Sequence, residues 1–559
     1  MPQTPAALRE NHPGAEWWRT AVIYQIYPRS FADASGNGTG DLRGVTAHLD
    51  DLVSLGVDAV WLSPFYRSPQ KDAGYDVADY RDVDPLFGTL DDFDEMLAAA
   101  HARGIRVIVD LVPNHSSDQH PWFQEALAAA PGSAARGRYL FHEGTGAHGE
   151  LPPNNWESVF GGPAWTRVTE PDGRPGQWYL HLFDPGQPDF DWSNPEVQEE
   201  FRSILRFWLD RGVDGFRVDV AHGLIKPEDF SDHLPPIDRE ATELSLQDAP
   251  YWGQDGVHEI YRDWHRVIAE YDGDRALCGE AWAPTIEKTA MFVRADEMQQ
   301  TFNFPYLVTG WDAGELRGVI AESLAAYPAV GAPATWVLSN HDVIRHASRL
   351  DLPPGGRHDE GLGPLSPVKP DPVSGLRRAR AASTVMLALP GSAYLYQGEE
   401  LGLPEVIELP DEARQDPSWL RTGGERYGRD GCRVPLPWVA AAPAYGFSPD
   451  GASWLPQPAE WAALARDAQE DDPDSTLWLY RTLLATRRAE GLGASALEWL
   501  DGYGDDVLAF RNGNITVIAN LGDRSITLPS GTVLVASAPG VPAGGAQLPV
   551  DTAVWMHAG

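Results

Sequence analysis

Three short segments each present a carboxylate at the end of an apolar run: Gly215-Phe216-Arg217-Val218-Asp219-Val220-Ala221-His222, Leu277-Cys278-Gly279-Glu280-Ala281-Trp282 and Leu338-Ser339-Asn340-His341-Asp342. Two such acids facing one bond suffice for glycosidic cleavage, one as proton donor and the other as nucleophile or base. Arg217 stands two residues before Asp219, so on a strand the two side chains share a face. A guanidinium there keeps Asp219 ionised and fixes its direction. A second constellation is Asp33-Ala34-Ser35-Gly36-Asn37-Gly38-Thr39-Gly40-Asp41. Oxygens of Asp33, Ser35, Asn37 and Asp41, with the Thr39 backbone carbonyl, have the alternate spacing of a loop that holds Ca²⁺ or Mg²⁺. The neutral donors Ser35 and Asn37 predict weak affinity and a structural role.

For the three acids to meet, their strands must end on one face. Short β-like runs at 21–27, 57–62, 105–112, 213–220, 275–279, 300–304, 334–339 and 392–396 alternate with helical patterns at 90–102, 195–211, 257–271, 376–388 and 476–488. Eight such strands predict an α/β fold, a (β/α)8 barrel in which the strand C-termini share the reactive face. Residues 113–189, rich in Gly, Pro, Trp and His, read as a small inserted domain after the third strand. Residues 398–473 read as a long excursion over the barrel mouth, and strands at 507–511, 515–520, 532–536 and 553–557 as a C-terminal antiparallel β-domain. The predicted division is a barrel of 1–112 and 190–492, an insert of 113–189 and a β-domain of 493–559.

A chain of 559 residues, 43% apolar, sustains a sizeable core and more than one domain. Its net charge of −38 argues against nucleic acid and anionic membranes as partners. Cys278 and Cys432 are too few for a disulfide framework and predict free thiols in a reducing cytosol, with a single bridge left open. No apolar run reaches transmembrane length, and residues 1–16 hold no apolar signal core, so a cytoplasmic protein is expected. Monomer and homodimer both fit.

Taken together, the motifs resemble glycoside hydrolase family 13, the α-amylase family, and within it the α-glucosidase and oligo-1,6-glucosidase group. The similarity runs from residue 17 to about 491, through Val22-Ile23-Tyr24-Gln25-Ile26-Tyr27-Pro28-Arg29-Ser30-Phe31, Asp110-Leu111-Val112-Pro113-Asn114-His115, Gln187-Pro188-Asp189 and the three acid segments. The resemblance implies retention of configuration, with Asp219 as nucleophile, Glu280 as acid/base and Asp342 as a third carboxylate on sugar hydroxyls. It implies that His115 and His341 bond the same sugar, that Arg217 supports the nucleophile and that Tyr75 lies under the ring. Asp72 and Arg433 would close the non-reducing end, so that single terminal glucose units leave. Phe160 would wall the cleft, while Val220 and His222 would face the leaving group. Relatives often bind Ca²⁺ or Mg²⁺ at the loop 33–41, and no organic cofactor is implied.

Two departures bear on specificity. Asp191 stands where the group carries Asn, and Val220 accompanies α-1,6 cleavage in relatives. Against that, Val220-Ala221-His222 with Cys432-Arg433-Val434-Pro435-Leu436-Pro437-Trp438 is similar to a set of actinobacterial-type α-glucosidases, which tilts the expectation toward maltose. The expectation is an exo-acting α-glucosidase on small α-glucosides, with some transglucosylation. Oligo-1,6-glucosidase, transglucosylase and sucrose isomerase share the same acids and stay open. Closure of the pocket disfavours endo-amylase action, and three retained acids disfavour a binding-only scaffold.

Overall fold

A computed structural model describes residues 16–233, 249–353, 360–541 and 547–558. Its centre is eight parallel strands: β1 (Val22–Ile26), β2 (Ala59–Leu62), β3 (Arg106–Leu111), β4 (Gly215–Val218), β5 (Ala276–Gly279), β6 (Gln300–Thr301), β7 (Thr335–Val337) and β8 (Ser392–Tyr396). Each pairs with its sequence neighbour, and β8 returns to β1, so the sheet curls into a barrel. The seam between β6 and β7 carries no ladder; the Asn303 N–H to Thr335 carbonyl bond of 3.0 Å crosses it. Ile23, Ala59, Trp61, Ile108, Ala276, Cys278, Phe302, Val337 and Tyr394 fill the interior, as inward side chains of a small barrel must.

All eight predicted strands are present; seven are shorter than expected, and the sixth loses the largest share. The run expected at 300–304 stops at Thr301, because Asn303 caps a helical turn, Phe304–Val308, that has Pro305 in its first turn. Proline pre-sets a helical φ and donates no ladder hydrogen bond. The outer helices begin and end where side chains meet the terminal backbone groups. In α1 (Leu90–Ala102) Thr89 and Asp92 form a capping box. In α2 (Pro195–Arg211) Asn194 caps the start, and Gly212 stops the chain at φ 104°. Then come α3 (Val257–Ile268), α4 (Ala313–Ala329), α5 (Pro372–Met386) and α6 (Thr476–Glu490).

Between β3 and β4, strands Trp165–Thr169 and Pro175–Leu180 with Phe141–His142 make a small antiparallel sheet over an aromatic cluster of Trp156, Trp165 and Tyr251. The segment after β8 holds short helical turns, among them Asp430–Cys432. Five antiparallel strands close the chain: β9 (Leu497–Trp499), β10 (Val507–Asn512), β11 (Ile515–Asn520), β12 (Gly531–Ala536) and β13 (Thr552–Ala558). They dock on α5, where Trp555 Nε1 donates to the Thr384 carbonyl at 2.8 Å and Arg380 Nε to the Ser537 carbonyl at 2.7 Å. Among the described residues no helix is long and apolar enough to cross a membrane.

Candidate active site

Strand register sets the chemistry. Arg217 in β4 stands opposite Asp110 in β3 and Cys278 in β5, so its guanidinium enters the barrel mouth flanked by acids. Arg217 is 1% exposed. Its Nη1 donates to Asp219 Oδ1 at 2.7 Å and Asp110 Oδ1 at 3.0 Å, and its Nη2 to Glu280 Oε2 at 2.5 Å. Asp110 also accepts from Tyr75 Oη at 3.0 Å and Trp61 Nε1 at 3.1 Å. The Trp61 ring, 4.9 Å from the guanidinium, backs the cation. One cation thus serves three carboxylates. Burial, together with the neighbouring carboxylates, pushes Asp219 well above the usual range and Asp110 up to about 7, against the pull of Arg217. A cluster short of positive charge retains a proton near neutrality.

The loop after β7 supplies His341 and Asp342. His341 stacks on Tyr75 at 5.1 Å and 5°, and its Nδ1 meets Gln25 Nε2 at 2.7 Å. Its buried Nε2 has no hydrogen-bond partner and lies 3.1 Å from Asp342 Oδ2. Burial holds His341 neutral by depressing its proton affinity, and likewise brings His115 down to about 4. Burial disfavours the charged form of Asp342, but the Arg429 and Arg433 guanidiniums outweigh it and hold the carboxyl well below the usual range. His115 Nε2 lies 3.2 Å from the Tyr75 carbonyl and 3.1 Å from Gln187 Nε2. The structure therefore gathers Asp72, Tyr75, His115, Arg217, Asp219, Glu280, His341 and Asp342 into one hydrogen-bonded cluster.

Closure of the far end involves an arginine that the sequence reading did not name. Asp72 and Arg433, expected to close it together, lie on either side of that residue: Arg433 bonds Asp342 Oδ1 at 3.0 Å and the His341 carbonyl at 2.8 Å. Arg429 reaches Asp72, with Nη2 at 2.7 Å from Asp72 Oδ1, Nη1 at 2.9 Å from Asp342 Oδ1 and Nε at 2.6 Å from Asp416 Oδ2. The helical turn Asp430–Cys432 places both arginines on one side. Phe160 lies under the Arg429 guanidinium at 4.9 Å and against Phe183 at 5.6 Å.

Sequence reasoning also gave no role to Asp110, Trp61, Gln187 or Lys226. Asp110 and Gln187 lay inside motifs already singled out, whereas nothing in the sequence marks Lys226. Its Nζ bonds Asn114 Oδ1 at 2.8 Å and Asp189 Oδ2 at 2.9 Å, tying the turn after β4 to the insert. His222 is buried against Trp252 at 4.6 Å, and Val220 follows Asp219. Cys278 and Cys432 are both buried and free.

The loop 33–41 lies apart from this cluster. Asp33 Oδ1 accepts from Ser35 N–H, Ser35 Oγ and Gly36 N–H, so its lone pairs are taken. Asp33 Oδ2, Asp41 Oδ1 and Asn37 Oδ1 accept one N–H each, from Gly38, Gly44 and Thr39. Those three oxygens and the Thr39 carbonyl are hard donors with capacity left, a set that fits a weakly held Ca²⁺ or Mg²⁺. A surface groove of about 370 Å³ borders this loop. Its charges pair with each other, Arg43 with Asp92 and Arg67 with Asp82, and it contains none of the clustered acids.

Comparison with known proteins agrees with this geometry. The family model for the α-amylase catalytic domain matches residues 25–494. A curated relative from Rhizobium meliloti (strain 1021), described as "Probable alpha-glucosidase", is 37% identical over 549 residues, covering 94% of this chain and 93% of its own. The oligo-1,6-glucosidase of Parageobacillus thermoglucosidasius is 34% identical over 84% of each chain. Among solved structures, the α-glucosyl transfer enzyme XgtA superimposes with TM-score 0.82 at 35% identity, over 98% of this chain and 99% of its own. The trehalulose synthase MutB superimposes with TM-score 0.81 at 30% identity, over 97% and 100%.

Proposed function

The chain belongs to the α-amylase family of glycoside hydrolases, and from that premise we propose a retaining, exo-acting α-glucosidase that releases terminal glucose from maltose and short gluco-oligosaccharides. The observation that carries the exo reading is the bridge Asp72–Arg429–Asp342, which walls off the pocket beside Asp219 and Glu280. A sugar chain cannot run through that wall, so one terminal unit fits.

Asp219 Oδ1 is tied to Arg217, which leaves Oδ2 to attack the anomeric carbon. As the C–O bond to the aglycone breaks, Glu280 delivers its proton to the departing oxygen. Glu280 then takes a proton from water, which displaces Asp219 and releases glucose with retained configuration. Arg217 orients the nucleophile and offsets its charge. Tyr75 supports the sugar face. His115, held neutral, and His341, whose free Nε2 is buried, hydrogen-bond the hydroxyls with Asp342, Arg429 and Arg433. Phe160 walls the cleft beside Arg429, and Val220 and His222 border the leaving group. No organic cofactor enters these steps. A cation held by Asp33, Asn37, Thr39 and Asp41 would brace the loop and no more.

The solved structures of a glucosyl transfer enzyme and a trehalulose synthase favour a second outcome at the glycosyl-enzyme stage, capture by a sugar instead of water. The test is a time course of products from maltose, isomaltose, sucrose and trehalose beside Asp219→Asn. Prompt glucose from maltose, weak isomaltose turnover and a loss of at least about 10³-fold in the variant support the reading. Preference for isomaltose would transfer it to the oligo-1,6-glucosidases, and a rearranged disaccharide as first product to the isomerases. No turnover of any would overturn it. Buried free thiols and an acidic surface are consistent with a cytoplasmic monomer or homodimer.

A further inference from the structure

Val220 carries a conformation that its side chain disfavours. Its φ is +45°, in the left-handed region that a β-branched residue rarely enters. The hydrogen bonds between β4 and β5 explain what the strain maintains. Ala276 N–H donates to the Asp214 carbonyl at 3.1 Å, and Glu280 N–H to the Val218 carbonyl at 2.9 Å. A parallel ladder repeats every two residues, so the next bond would run from Val220 N–H to the Glu280 carbonyl. Instead Ala221 N–H takes that carbonyl, at 2.8 Å. The ladder slips by one residue, and the Val220 N–H is released to the Glu280 side chain, 3.2 Å from Oε2. Such a slip re-aims groups beside active sites elsewhere.

We propose that Val220 is a positioning residue: its left-handed turn holds Glu280 Oε2 with a backbone N–H, so that the proton delivered to the leaving group is carried by Oε1. This rests on the reading of Glu280 as the acid/base. Oε2 accepts two N–H donors, from Arg217 at 2.5 Å and from Val220, which leaves no room for a proton. In the glycosylation step the Oε1–H bond breaks and the proton passes to the glycosidic oxygen. That oxygen keeps the electron pair of its bond to the anomeric carbon, while Asp219 supplies the new pair. The turn is fixed from outside as well. Gly223 N–H closes it on the Val220 carbonyl at 2.9 Å, and Tyr261 Oη donates to the Ala221 carbonyl. A Cβ on Gly223 would lie 2.7 Å from Val220 Cγ1 and 2.6 Å from the Trp252 ring.

The experiment compares Val220→Pro with Val220→Gly on maltose and on a dinitrophenyl α-glucoside, whose leaving group needs no proton. The first variant has no N–H to give Oε2 and cannot take positive φ, whereas the second keeps the N–H and takes that φ freely. Expected is a further loss of about 10–100-fold in kcat/KM on maltose for Val220→Pro relative to Val220→Gly. On the aryl glucoside the two variants should stay within about threefold of each other. Equal losses on both substrates, or equal behaviour of the two variants, would overturn the proposal. If Val220→Pro fails to fold, Gly223→Ala must give the same substrate split. Glu280→Gln tests the underlying reading separately: it should largely spare kcat/KM on the aryl glucoside, which reports formation of the glycosyl-enzyme, and abolish it on maltose, while kcat falls on both because the base for water is lost. Equal losses in kcat/KM would sink the acid/base assignment itself.

Discussion

Arg429 and Asp72 form a 2.7 Å ion pair that joins the segment after β8 to the loop after β2 across the far end of the pocket. Both partners are nearly buried, at 12% and 5% side-chain exposure. Removing one partner of such a pair leaves the other charge stranded, which costs more than the pair contributes. Arg429→Ala is expected to lower kcat/KM on maltose by about 10²–10³-fold. It should also open the end wall, so that maltose appears early among the products of maltotetraose. Arg429→Lys recovers little, because an ammonium cannot span Asp72, Asp342 and Asp416 as a fork does. Steady-state kinetics with product chromatography reads both effects; a variant that still releases only glucose would separate the pair from exo action.

Glu399 gives a pH prediction with a definite sign. Its carboxyl is buried, accepts from Tyr396 N–H at 2.9 Å and Tyr480 Oη at 3.2 Å, and is pushed up to about 8, mainly by burial. A folded-state value above the unfolded one means that the folded protein binds the extra proton. This contribution is complete below about pH 4.5 and is lost as pH rises through about 8. Glu399→Gln, neutral at every pH, is expected to match wild-type Tm at pH 5 and to exceed it at pH 9, by a margin of up to a few kcal/mol. A Tm difference independent of pH would show that Glu399 does not titrate in the fold.

Barrel, insert and C-terminal sheet were legible because strand runs, caps and helix-stopping glycines such as Gly212 and Gly491 act locally. The positions of Asp219 and Glu280 were legible because each follows directly on a strand, whereas Asp342 sits in the loop after β7. What escaped depends on backbone paths that no local signal sets. Arg429 and Arg433 sit in one motif, yet which of them meets Asp72 depends on how a turn after β8 approaches a loop after β2. The slip at Val220 is invisible because valine is an ordinary strand residue, and what holds it at positive φ is β5 together with Gly223 and Tyr261. The end of β6 at Thr301 follows from Asn303 and Pro305, a signal masked by the strand-like alternation of Phe302 and Phe304.

Charge imbalance sets the salt response. The chain carries 81 acidic against 43 basic residues, so acidic groups far outnumber the cations that can pair with them. Their mutual repulsion opposes the compact state and is screened as the Debye length falls from about 10 Å at 0.1 M to about 3 Å at 1 M salt. Tm is expected to rise by about 1–2 °C between 0.05 and 1 M NaCl, a shift of roughly 1–2 kcal/mol in stability. A flat or falling Tm over that range would show that paired charges already neutralise the surface field.

The loop 33–41 makes the last prediction. Because Asp33 Oδ1 is saturated by its own loop and Asn37 is neutral, the expected affinity for Ca²⁺ is at the weak end, with Kd of about 1 mM. At about 10 mM Ca²⁺ such a site adds about 1.4 kcal/mol, or about 1 °C in Tm for a chain this long. The loop lies outside the acid cluster, so kcat on maltose should not change when Ca²⁺ is added or EDTA removes it. Asn37→Asp adds a charged donor and should enlarge the Tm response while leaving kcat alone. Its Oδ would still accept the Thr39 N–H that Asn37 holds at 2.8 Å, so the loop keeps its shape. Differential scanning calorimetry of both proteins with and without Ca²⁺ decides the matter. A response absent from wild type and from Asn37→Asp alike would mean that the loop's own hydrogen bonds, and no cation, hold it.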